Sequence, residues 1–462
     1  MIALPAPQTL PDLRSRTLAG FLVTLCVVMT AFNDIPAMIP AGELSSDAFV
    51  YVFPLLTLCL LWHPGRVEVP TFFTIFAIAL VGTILAGIWA NIDTIATADF
   101  KGRSGKGRVI TQSMSVGFGL MVMLVFYNAI IRGYAGAITK GAFIAVLVMA
   151  GFGVLEMSYW YGLPGLSQLH EALAGFFHAT SGLFYTQRLR ATAFEVSWTA
   201  VMLTFLFPFA IAGTTRMRGT ALILGIVLVM TMLASSRTAM LVVGLQMMML
   251  AFVMLRRRLD LIVHMATAGC IALMVLFVIP GVGEKLGSDV ANLIEYGSTE
   301  GNIDGGGTDR ENTSNITRLA SIRVGMKLFH EHPILGIGLG QYGFYYPSYI
   351  DAADLRSYEV SQFLIIDPED LWPPTYSMHV RLLAETGIVG YAIWLGTILI
   401  LLLRALRRAS GSTRVGRIYL ASAMTLLGWL LLGVSIDSFR FFGGWIAIAT
   451  VLALPRIERR LA

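Results

Sequence analysis

About twelve apolar stretches of 16 to 24 residues govern what this chain can fold into. They run 17–33, 47–62, 70–90, 110–131, 137–160, 195–213, 217–235, 238–255, 261–280, 386–404, 416–435 and 439–454. A helix needs about 20 mostly apolar residues to cross the hydrocarbon core of a bilayer. The expected fold is therefore all-α, a polytopic membrane protein with about twelve transmembrane helices. Composition agrees: 13% of the residues are charged and 56% hydrophobic, against about 25% charged in a typical soluble domain. So little charge cannot cover a water-soluble particle of 462 residues, which excludes a cytosolic enzyme, a disordered chain and a disulfide scaffold. Cys26, Cys59 and Cys270 lie inside apolar stretches with no CxxC spacing. They read as small buried residues, implying neither a disulfide framework nor a metal site. The polar start, Met1 to Arg16, leads straight into the first stretch, and no cleavable signal peptide is expected.

Charge decides orientation. With the N-terminus inside, the inner loops collect 18 of the 33 basic residues and four of the 28 acids, a net +14 that leaves −9 outside. An even number of spans with both termini inside satisfies the positive-inside rule. Three parts follow: residues 1–282 with about nine helices, a large outer loop at 283–385, and residues 386–462 with about three more helices. A second outer loop covers about 156–194. In the large loop, Leu319, Ile322, Met326 and Phe329 recur at helical spacing, so 318–330 reads as a surface amphipathic helix ended by Pro333. A glycine-rich turn (Gly336, Gly338, Gly340) and an aromatic run (Tyr342, Phe344, Tyr345, Tyr346, Tyr349) come next.

On an acidic outer face, the basic residues need a reason. Arg188 and Arg190 end one loop, Arg237 occupies the short turn Ser235-Ser236-Arg237-Thr238, and Arg318 and Arg323 belong to the surface helix. Arginine at a bilayer boundary is costly unless it snorkels or meets an anion, and its fork suits phosphate. Arg190, Arg237 and Arg318 reaching one pocket would make a diphosphate site, with Arg188 and Arg323 as further candidates. Each alone can equally serve a lipid phosphate or a nearby acid. His379 is a candidate for deprotonating or orienting a hydroxyl, or a structural histidine at a helix start. The run Lys101-Gly102-Arg103-Ser104-Gly105-Lys106 is not a P-loop, because Phe100 stands where the first glycine belongs. Its basic residues, Lys101, Arg103, Lys106 and Arg108, suggest contact with anionic headgroups or a charged glycan, or a misassignment of the third and fourth spans. His170, Glu171 and His178 are not in metal-binding register.

Taken in order, Arg318-Leu-Ala-Ser-Ile322, Pro333-Ile-Leu-Gly336-Ile-Gly338, His379 and Glu385-Thr-Gly387-Ile-Val-Gly390 resemble the signature of the O-antigen ligase/O-antigen polymerase (Wzy-type) superfamily. Arg190 with Phe194-Glu195 and Ser197 looks like its "RxxGxFxxP" region, and Ser236-Arg237-Thr238 like its "SRT" turn. The resemblance covers about 180–435. Ile322 replaces the usual tryptophan, Val380 the usual asparagine, and Val196 the commoner proline. It implies a GT-C-like, metal-independent glycosyltransferase of the bacterial inner membrane that works on the periplasmic face without a cofactor. The donor would be a glycan on undecaprenyl diphosphate. The acceptor would be a sugar hydroxyl, of another repeat unit for a polymerase (slightly preferred) or of lipid A–core for a ligase. Arg190, Arg237 and Arg318 would hold the diphosphate, and His379 or Glu195 would act on the acceptor. Membrane lipids and polysaccharide-assembly proteins are the implied partners, and nucleic acid is not. A transporter or flippase of lipid-linked sugars is also comfortable with twelve spans, but no repeat relates the two halves as it does in many transporters. A non-catalytic assembly partner is the third reading.

Overall fold

The computed structural model describes residues 18–62, 66–179, 188–214, 216–255, 309–365 and 371–461. The first half contains α1 (Leu18–Met29), α2 (Ala48–Trp62), α3 (Thr71–Ala90) and α4 (Ile92–Thr97), then a hairpin of β1 (Asp99–Phe100) and β2 (Arg103–Ser104). It continues with α5 (Gly105–Ala129), α6 (Ala135–Trp160), α7 (Leu166–Phe177), α8 (Val196–Gly213), α9 (Met217–Ala234) and α10 (Arg237–Leu255). The second half has α11 (Asp309–Glu331), α12 (Tyr342–Tyr349), α13 (Tyr358–Leu364), α14 (Met378–Arg408), α15 (Arg414–Leu432) and α16 (Phe442–Leu461).

This is an all-α membrane protein. Helices occupy eleven of the twelve apolar stretches, and the remaining one, 261–280, lies outside the described residues. Among the described residues, five helical runs are long and apolar enough to cross a membrane: α3, Gly105–Trp160, α8, α14 and α15. The Gly105–Trp160 run divides into α5 and α6 at Gly133, whose φ of 97° a residue with a Cβ rarely adopts. Helices α1, α2, α9 and α10 are apolar but shorter.

Helix α8 is almost wholly buried and packs against α6 and α15. Gln246 of α10 donates to the carbonyls of Thr204 (3.0 Å) in α8 and Met424 (2.7 Å) in α15, pinning three helices together. The periphery is the reverse. Leu55, Leu58 and Trp62 of α2 and Ile75, Ile78, Leu85 and Trp89 of α3 are each more than half exposed. An apolar surface on that scale suits acyl chains rather than water.

Residues assigned by charge to one side meet one another. On the inner side, Arg456 pairs with Glu68 (2.7 Å), Arg408 with Glu458 (2.6 Å), and Arg132 donates to the Leu60 carbonyl (2.6 Å). On the outer side, Lys101 donates to the carbonyls of Gln362 (2.8 Å) and Leu371 (3.1 Å), and Arg440 to that of Glu43 (2.7 Å). Of the basic cluster at 101–108, Lys101, Arg103 and Arg108 are thus taken up in packing. Its P-loop-like run is a hairpin turning on Lys101 and Gly102, both at positive φ, with Ser104 capping α5 by accepting from the Gly107 amide. Trp372 lies under Arg103 (5.1 Å) and Arg108 (4.9 Å) and closes the joint to the late loop.

The late loop differs from the amphipathic reading in extent and in face. Helix α11 begins at Asp309, and its buried stripe is Thr317, Ala320, Ser321, Val324 and Leu328, while Leu319 is exposed. Small residues win this face because α14 comes so close that a Cβ at Gly325 would strike Val380. The glycine turn after α11 clips into a break in α14. Ile337 N donates to Ala384 O (2.9 Å), Gly338 N to Glu385 O (3.1 Å) and Ile388 N to Pro333 O (2.8 Å). At the break Gly387 has φ 65° and ψ −171°, and a Cβ there would collide with the Ile334 carbonyl. Gly387→Ala is expected to destabilise the protein by about 1–3 kcal/mol from backbone strain alone. Gly396→Ala, whose Cβ meets nothing, should leave the thermal unfolding midpoint in detergent unchanged or slightly raised.

Candidate active site at one end of the bundle

The segment before α8 is held by buried polar groups aimed at its backbone. The amides of Arg190 (3.0 Å) and Ala191 (2.6 Å) donate to the Glu156 carboxylate, and that of Phe194 to Asn33 Oδ1 (2.7 Å). His178 spans Asp34 Oδ2 (3.1 Å) and the Ala191 carbonyl (3.0 Å). Such a network pins one conformation because each buried group needs its partner. It holds Ala191 at φ 49°. Arg190 belongs to this network: it is buried, with Nη1 3.8 Å from Asp34 Oδ2 and 3.4 Å from the Phe194 carbonyl. The structure places it as a support of the loop rather than at an open surface.

Arg188 faces the other way along the same segment. Leu189 N donates to Leu233 O (2.9 Å) and Arg188 Nη2 to Ser235 O (3.1 Å), laying the segment along the end of α9. Ser235 turns in the left-handed region (φ 47°) and α10 starts at Arg237, half-buried and two residues from the carbonyl that Arg188 holds.

Glu195 ends the segment at the start of α8, half-buried, its carboxylate accepting from Ser197 Oγ (3.2 Å). Burial raises its pKa, and Glu359 adds to the rise. Ser197, Arg318 and Arg188 oppose it without cancelling it. Arg318 lies 5.4 Å over the Tyr376 ring. Tyr376 itself sits at φ 53° in a turn tied down by Asp437, which accepts from both Thr375 N and Oγ1 (2.8 Å each). Burial, with Glu359 beside it, keeps the Tyr376 phenol protonated as a donor.

Arg188, Arg318 and Glu195 therefore lie within electrostatic reach of one another, with Tyr376 and Glu359, and Arg188 links them to the turn that precedes Arg237. Two further candidates have bonding partners of their own. His379 Nε2 is 2.9 Å from the Leu430 carbonyl and Nδ1 is 3.2 Å from the Tyr391 hydroxyl, with the ring edge-on to Trp394. In a neutral ring Nε2 donates to Leu430 and so ties α14 to α15, while Nδ1 accepts from Tyr391 within α14 itself. Arg323 is half-exposed and pairs with Asp351 and Asp354 (2.5 Å), stapling α11 to the turn that follows α12. The aromatic run is a small core: Tyr342 and Tyr346 are buried, and Tyr342 donates to the Ser321 carbonyl (2.8 Å).

A second polar network borders the first and was not anticipated. Arg108 pairs with Glu43 (3.6 Å), Gln112 bonds Glu43 (3.2 Å) and Arg381 (2.5 Å), and Arg381 pairs with Glu385 (3.1 Å) and donates to the Asp437 carbonyl (2.5 Å). Glu43 is crowded by protein, yet 41% of its side chain is open. Crowding opposes its ionisation, but Arg440, Arg381 and Arg108 outweigh that and hold its carboxyl below the usual range. The available signal was Arg381 and Glu385, an ion-pair spacing of four at the mouth of a span.

Residues 219–395 match the family model described as O-antigen ligase. Over this stretch the chain is similar to the O-antigen ligase family. No curated protein matches the chain. The O-antigen ligase region supplies Arg237, Arg318, Arg323, Tyr376 and His379, whereas Arg188, Arg190 and Glu195 precede it. The candidate site is thus built by a family region and by a segment that the match does not cover.

Proposed function

We propose that this protein is a metal-independent glycosyltransferase moving a glycan from undecaprenyl diphosphate to a sugar hydroxyl, as an O-antigen or exopolysaccharide polymerase. The observation that carries this reading is a half-buried carboxyl, Glu195, within electrostatic reach of Arg188 and Arg318, with Arg188 bonded to the turn that precedes Arg237. In the reaction the acceptor oxygen attacks the anomeric carbon and its proton passes to the Glu195 carboxylate. The carbon–oxygen bond to the diphosphate breaks, and the guanidiniums receive the charge that develops there. Electrostatic stabilisation of this kind is usually the largest single contribution to such catalysis. Arg190 acts by positioning the loop, and His379 by positioning the entrance of α14. The placement follows the charge pattern: twelve spans in a GT-C-like arrangement in the inner membrane, both termini cytoplasmic and the site periplasmic.

The family description favours a second reading, an O-antigen ligase with lipid A–core as acceptor. One experiment tests both. Purified protein in nanodiscs receives a synthetic undecaprenyl-diphosphate glycan with EDTA, plus either lipid A–core or a second portion of donor, and released undecaprenyl diphosphate and the new linkage are measured. Release with the second donor identifies a polymerase, and release with lipid A–core a ligase. No release with either overturns glycosyl transfer.

A further inference from the structure

A recess of about 20 Å³ lies beside the first turns of α8, walled by Asn33, Asp47, Trp198, Val201, Phe205 and Arg440 among others. That is room for one water-sized group. Asn33 is 3% exposed, and because its Oδ1 accepts from the Phe194 amide (2.7 Å), the orientation of its amide is fixed. The Nδ2 that remains is buried and has no hydrogen-bond partner among the described residues. Leaving such a donor unpaired is unfavourable, so the recess is made for an acceptor atom. Asp47, also 3% exposed, supplies a carboxylate 3.4 Å from Arg440.

The recess is not a second phosphate site. Its one cation, Arg440, is already shared among Asp47, the Glu43 carbonyl and Ser46 Oγ and lies 4.8 Å over the Trp198 ring. What fits a lone donor, a carboxylate and apolar walls is an uncharged group that both accepts and donates. The recess also borders the proposed base: Asn33 holds the residue before Glu195, and Trp198 N donates to the Glu195 carbonyl (3.0 Å).

We infer that this recess seats a hydroxyl of a neutral sugar in the acceptor glycan, which accepts from Asn33 Nδ2 and donates to Asp47. The inference rests on the glycosyl-transfer reading and adds to it an acceptor subsite distinct from the cationic donor side. Acceptor chains whose terminal sugar lacks that hydroxyl are expected to be poor substrates.

Asn33→Asp is the discriminating variant, since it retains the oxygen that holds Phe194 and exchanges the donor for a second carboxylate oxygen. The full chain in nanodiscs is assayed with the synthetic undecaprenyl-diphosphate glycan, using as acceptor whichever of lipid A–core or a second portion of donor the wild type accepts. The acceptor KM is expected to rise roughly tenfold, the effect of losing one hydrogen bond. The donor KM and the kcat at saturating acceptor should change less than about threefold, which a merely structural lesion would not achieve. Val201→Met narrows the recess from its apolar side and should give the same split, and it carries the test if Asn33→Asp fails to fold. A wild-type acceptor KM in a folded variant, or equal losses for donor and acceptor, overturns the subsite and leaves a recess for water. A wild type that transfers to neither acceptor sinks the glycosyl-transfer reading itself.

Discussion

Arg318→Ala is expected to lower turnover about 100- to 1,000-fold, the usual effect of removing one group that meets developing charge in a transition state. Arg318 is half-buried over Tyr376 and within electrostatic reach of Glu195, so its charge acts in a medium that screens less than water. Arg318→Lys should recover only part of the rate, because an ammonium cannot grip two phosphate oxygens with a planar fork. Five residues along the same helix, Arg323 provides the contrast. It is half-exposed and engaged with Asp351 and Asp354, and surface ion pairs of that kind contribute about 0–1 kcal/mol. Arg323→Ala should therefore keep turnover within about threefold of wild type. Release of undecaprenyl diphosphate measures both, and equal losses at the two positions would remove Arg318 from the donor site.

Glu195→Gln is the second large effect, with an expected loss of about 100- to 10,000-fold for a general base. The pH profile makes the claim specific. A base works as the carboxylate, and burial raises the pKa of Glu195. As pH falls, the carboxylate is lost earlier than for an ordinary glutamate near 4.3. The acid limb of kcat/KM should therefore lie above the ordinary carboxylate range and vanish in Glu195→Gln. A limb that persists in the variant would assign the titration to another group.

The helical fold was legible because hydropathy is read segment by segment, and a span needs only its own residues. The site was legible in part. Arg237 and Arg318 stood out because they are cations on an otherwise acidic face, and that argument is one of composition. The same reasoning could not separate Arg190 from Arg188, which are two residues apart. Only the fold shows that Asp34 and Glu156 wait for one of them and Ser235 for the other. His379 was attractive as an imidazole near a helix start, but its partners, Leu430 and Tyr391, are 51 and 12 residues away. The face of α11 was misjudged for a related reason: hydrophobicity ranks Leu319 above Ala320, whereas the available space ranks them the other way.

Arg440 reaches back across 397 residues to the Glu43 carbonyl. That contact sets a clock as well as a geometry. At about 5–20 residues per second of synthesis, Glu43 emerges some 20 to 80 seconds before its partner. The nascent protein thus has no complete acceptor recess until its last helix is inserted.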